Sequence, residues 1–91
     1  MKVSLIHPFR IKDEEVSEID LDFEKLTGKQ LADAEREARA MGDQTPSVMV
    51  SMQYHSIIAA KLIGVSVDDV LGMNAVDFKN IMVQVASFFL Q

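Results

Sequence analysis

The sequence predicts an α+β fold: an N-terminal antiparallel β-hairpin followed by three to four α-helices. Two patterns carry this expectation. Apolar residues alternate along the first two dozen positions, as they do in half-buried strands. From Leu26 onward, helix-start signals recur at intervals that suit short helices. A chain of 91 residues is one domain's worth of sequence.

The hairpin is expected over residues 2–24. Val3, Leu5, Phe9 and Ile11 fall on odd positions, and Ile19, Leu21 and Phe23 alternate with acids, with Lys12-Asp13-Glu14-Glu15 as a polar turn between them. A regular ladder closed on a tight turn would set Phe9 against Glu18 and mismatch the apolar faces. One extra residue at Ser17/Glu18 restores the match, pairing Phe9 with Ile19, His7 with Leu21 and Leu5 with Phe23. A β-bulge is therefore predicted at Ser17/Glu18.

Helices are expected over 27–41, 46–63, 67–72 and 75–90. The first opens on a capping box, Thr27 with Gln30, beside a hydrophobic staple, Leu26 with Leu31, and stops at Gly42. Thr45-Pro46 supplies a cap and a first-turn proline for the second, which ends at Gly64. Val65-Ser66 with Asp69-Val70, and Met73-Asn74 with Asp77-Phe78, repeat the cap-and-staple pattern for the last two.

Charge divides the chain. Seven of the fourteen acids lie between Asp13 and Glu24, whereas from Gln44 to Gln91 only Lys61, Asp68, Asp69, Asp77 and Lys79 are charged. The net charge of −5 argues against nucleic acid and anionic membranes as partners, since both require a basic face. No segment has the roughly 18–20 apolar residues of a membrane span, and Met1–Phe9 does not read as a secretion signal. With no cysteine there is neither a disulfide nor a thiolate ligand or nucleophile. A cytoplasmic location is expected.

Catalytic chemistry is not legible. His7 and His55 lack the paired helical spacing of a metal site, and Gly28-Lys29 lacks the rest of a phosphate loop. The row Glu18, Asp20, Asp22, Glu24 reads as a solvated face that discourages edge pairing. A cation or a basic segment remains an alternative there. No enzyme, cofactor or metal is predicted.

The later helices carry more apolar surface than one docked face needs. On the last helix Asp77, Asn80, Gln84, Ser87 and Gln91 form a polar stripe, and the apolar remainder is about twice the roughly 100° arc that suffices for docking on one core. Either that helix is central and covered on both sides, or part of it faces a partner. Met49, Val50, Ile57, Val83, Phe88, Phe89 and Leu90 are the candidate partner-binding residues. Methionines at 41, 49, 52, 73 and 82 suit either a core or an adaptable docking surface.

Three stretches then carry a resemblance: Ile11–Ile19 (IKDEEVSEI), Leu26–Leu31 (LTGKQL) and Ala34–Arg39 (AEREAR). Ala59-Ala60, Gly64–Leu71, Asp77-Phe78 and Phe88-Phe89-Leu90 follow in order. Together they resemble the tail assembly chaperones of P2- and Mu-like myophages, over essentially the whole chain. Glu14 departs from the pattern, since family members often have glycine there. The resemblance implies a protein that binds the helical tape measure protein, keeps it soluble and helps recruit tail tube subunits. It also implies one that is absent from the mature virion. A homo-oligomer is a further possibility, and the alternative is a small structural tail or baseplate protein or another non-enzymatic protein-binding adaptor.

Overall fold

The computed structural model describes residues 1–91 as an α+β fold. Strands β1 (Lys2–Ile11) and β2 (Glu14–Asp20) form the antiparallel hairpin. A 3-10 turn at Phe23–Lys25 leads to α1 (Gly28–Ala40), and a second at Val48–Val50 precedes α2 (Met52–Ile63). The short α3 (Val67–Leu71) and the long α4 (Ala75–Phe89) complete the chain.

The hairpin turn is Lys12-Asp13 alone; Glu14 and Glu15 belong to β2. Both turn residues have positive φ, 49° and 69°, the signature of a type I′ connection. Asp tolerates this conformation; Lys suits it less well. The second strand is also shorter than expected: pairing stops at Asp20, and Asp22 caps the 3-10 turn by accepting from the Glu24 amide. The acidic row is therefore not one strand face. Glu15 pairs with Arg10 across the ladder, and Glu18 pairs with Lys2.

The register corrects the predicted bulge. Near the turn Phe9 faces Val16, and at the far end Val3 faces Ile19 and Ser4 faces Glu18. Leu5–Pro8 of β1 thus stand opposite the single residue Ser17 of β2. The extra residues are in β1, not at Ser17/Glu18, and the expected pairs Phe9–Ile19, His7–Leu21 and Leu5–Phe23 do not form. The cause is twofold. Pro8 has no amide to give a ladder. The two amides before it, Ile6 and His7, donate to the two carboxylate oxygens of Asp77, at 2.8 and 3.0 Å.

Three of the four expected helix starts form as read. Thr27 and Gln30 make a reciprocal capping box, as do Ser66 and Asp69. Asn74 accepts from the Val76 and Asp77 amides. α1 ends in a Schellman arrangement, with Asp43 N bonded to Ala38 O, Gly42 N bonded to Arg39 O, and Gly42 at φ 97°.

The second helix starts at Met52, six residues after the expected position. As a cap, Thr45 would offer its carbonyl to the first helical amides. Instead that carbonyl accepts from the Arg39 guanidinium at 2.6 Å, while the Thr45 amide and hydroxyl both donate to Asp43. Ser51 becomes the cap: it accepts from the Tyr54 amide, and its own hydroxyl also donates to Asp43. These bonds, chiefly those from Ser51 and Thr45, pull the Asp43 pKa down to about 2.

α2 is the central helix. It packs on α1, α3 and α4, and every side chain from Tyr54 to Ala60 is buried. α1 brings two fully buried small residues, Ala34 and Ala38, which let helices approach closely. The Tyr54 hydroxyl donates to the Leu31 carbonyl at 3.1 Å, joining α2 to α1. Val3, Ile19 and Leu21 bring the hairpin into the same core as Ile58, Val70, Ile81 and Val85.

Asp77 is the main polar member of that core. It is 1% exposed and accepts from Ile6, His7 and the Asn74 amide group. Its pKa is lowered, first by the Ile6 bond, with His7 and Asn74 adding to it against the opposing effect of burial. Because the folded carboxylate binds protons more weakly than the unfolded one, its contribution is complete above about pH 4. It is lost as pH falls through the depressed folded value, the same direction as for Asp43. Asp77→Ala is expected to lower the thermal midpoint at pH 7 by roughly 10 °C and to flatten the acid limb of a stability–pH profile measured by circular dichroism. Replacing Lys12-Asp13 by Asn-Gly relieves both left-handed positions, and should raise stability in a urea titration by about 0.5–1 kcal/mol.

Candidate functional site

Which of the spare apolar residues remain in water follows from the helix positions. Because α2 is enclosed, Ile57 is 1% exposed and lies in the core; its expected place on an accessible face is corrected. α4 is covered on one side only. Ile81, Met82 and Val85 face inward, whereas Val76, Val83 and Leu90 are exposed. Phe88 and Phe89 are half-buried. Phe88 stacks on Phe23 at 4.5 Å with the rings nearly parallel, and Phe89 packs on the rings of Tyr54 and His55. These contacts fix the last turn of α4 against the rest of the fold.

The exposed apolar side chains are not scattered. Between α4 and the 3-10 turn before α2 runs an open trough of about 370 Å³, lined by Met49, Val50, Met52, His55, Phe78, Lys79, Met82, Val83, Ala86 and Leu90. Its long wall follows α4 from Phe78 to Leu90, about 18 Å at the helical rise per residue. Its short wall is the 3-10 turn, which exists because α2 starts late. Four of the seven sequence candidates, Met49, Val50, Val83 and Leu90, meet here, and Val50 (64% exposed) and Leu90 (72% exposed) stand farthest into solvent. The partner-binding candidates did not include Phe78 or Ala86, and Met52 and Met82 figured only among the methionines that suit either a core or a docking surface. The roughly four-residue spacing of Phe78, Met82, Ala86 and Leu90 was a signal that would have found the α4 side.

His55 supports the short wall. Its Nε2 donates to the Met49 carbonyl at 2.8 Å, so the imidazole pins the 3-10 turn to α2. Burial pushes its pKa down, and the Met49 bond opposes this only in part. The ring is a neutral structural residue. No group of three or more His, Asp or Glu side chains converges to hold a metal, and no helix is long and apolar enough to cross a membrane. What the arrangement can do is bury apolar side chains from another molecule. The space lies at the small end of ligand pockets, which run about 300–1,000 Å³. It takes one face of a helix but not a whole one, which is about 10–12 Å across.

The family model for phage tail assembly chaperone proteins, E, or 41 or 14, matches residues 2–90. The chain belongs to this family. Membership covers the hairpin, all four helices and both walls of the trough, and it places the chain among non-enzymatic chaperones of phage tail assembly. No curated protein and no solved structure matches the chain.

The division between core and trough is measurable by denaturation. Ile57→Ala should cost about 3 kcal/mol, whereas Val50→Asp and Val83→Asp, at exposed positions, should each stay within about 0.5 kcal/mol of the parent.

Proposed function

We propose that this chaperone binds the tape measure protein, holding apolar stripes of that long helical chain in the α4 trough until the tail tube assembles around it. The observation that carries this reading is the run of exposed apolar side chains along one side of α4, which no other element of the chain covers. An amphipathic helix presents its anchors at i, i+3, i+4 and i+7, a spacing suited to a trough whose long wall is itself a helix. Exposed apolar patches of this kind on otherwise charged surfaces mark interaction sites.

The remaining features fit the same role. The acidic hairpin keeps the complex soluble and disfavours nonspecific contacts. Methionine side chains at 49, 52 and 82 adapt to varied apolar shapes. Release of the client as tube subunits arrive calls for modest affinity per copy, so several copies would act along one tape measure chain in the host cytoplasm. The finished virion would not retain them.

Co-expression tests this. The soluble fraction of the tape measure protein should rise several-fold with the parent chain and return to its unassisted level with Val50→Asp/Val83→Asp, although that variant folds. Equal solubility with both would remove the trough from the function. Abundant chain in purified virions, by mass spectrometry, would favour a retained structural protein instead.

A further inference from the structure

Charge around the trough is as informative as its apolar lining. Six of the nine Lys and Arg residues are in ion pairs: Lys2, Arg10, Lys29, Arg36, Arg39 and Lys61. Lys12, Lys25 and Lys79 are not. Lys12 lies in the hairpin turn and Lys25 in the first 3-10 turn. Lys79 alone lines the trough, and it is the only charged residue among the ten that do.

An acidic chain with a net charge of −5 thus keeps its one apolar opening free of carboxylates and sets an uncompensated ammonium on its rim. Lys79 sits one turn into α4, so the charge marks one end of the long wall. From this we infer that the trough selects an amphipathic helix carrying an Asp or Glu beside its apolar stripe, with that carboxylate meeting Lys79. The inference rests on the trough being the client site and specifies the chemistry of what enters it.

A second copy of the chain is a poorer occupant. Two troughs face to face would bring Lys79 to a surface with no acid to receive it. A client helix with a flanking carboxylate removes that mismatch and gains a fixed register, because the ion pair can form at only one end of the long wall. Across an exposed rim such a pair contributes modestly to affinity; its larger effect is to choose between helices that are equally apolar.

Two synthetic 20-residue helical peptides provide the test. They share one apolar stripe and differ only in a flanking residue, Glu or Lys. Binding to the full chain is followed by fluorescence anisotropy at low ionic strength. The Glu peptide should bind about two- to fivefold more tightly, with the gap closing as salt is raised. Lys79→Glu should reverse the preference, and Lys79→Gln should abolish it. Equal affinities for the parent chain, or a preference unchanged in Lys79→Glu, overturn the inference while leaving the trough as a client site. Failure of both peptides to bind the parent overturns that site as well. Self-association of the parent chain that competes with the Glu peptide would make a second copy the occupant instead.

Discussion

One carboxylate holds the two halves of this fold together. Asp77 lies at the start of α4, yet it accepts hydrogen bonds from the amides of Ile6 and His7, about seventy residues earlier in the chain. Those amides are free because β1 leaves the ladder between Ser4 and Phe9. Within the hairpin alone the break leaves two donors unmatched, and within α4 alone the buried acid has only the Asn74 amide group as a partner. Each defect satisfies the other, in a region where an unpaired buried group would be costly. The bond set fixes where α4 starts relative to the hairpin, and therefore where the long wall of the trough runs.

Local chemistry was readable, and longer-range chemistry was not. Thr27, Ser66 and Asn74 cap their helices through bonds spanning two or three residues, so their signals survive in a single window of sequence. Thr45-Pro46 offers an equally good local signal, but Arg39 and Asp43 claim the groups that signal would have used. Asp77 has the same character. Its spacing from Asn74 suggests a helix-start acid and a place in a solvent stripe, and nothing nearby reveals that its partners are Ile6 and His7. The misplaced bulge follows from this, since matching apolar residues across the ladder takes no account of amides diverted to another element.

The candidate site was legible to the extent that it depends on helix periodicity. The surplus on α4 was visible as an apolar arc too wide for one interface, and Val83 and Leu90 are exposed on it. Both later helices showed a surplus, and the sequence did not say which would be covered. α2 became central, which took Ile57 inward, and Phe88 was claimed by Phe23, a residue far away in sequence. Position within the bundle, rather than composition, separates core from spare surface here.

The two sides of the trough differ in construction. α4 is a continuous helix whose hydrogen-bond ladder runs its full length and whose ends are anchored by Asp77 and by the Phe88 and Phe89 ring contacts. The opposite side is a single 3-10 turn with Met52 and His55 of α2 beside it, held by short-range backbone bonds and by the His55 contact to Met49. Val48 of that turn packs against the core, and the turn touches both α2 and α4. The cleft is therefore shaped like a bench vise with one long jaw and one short one, so a guest lying along it is supported over its length on one side and at a single point on the other.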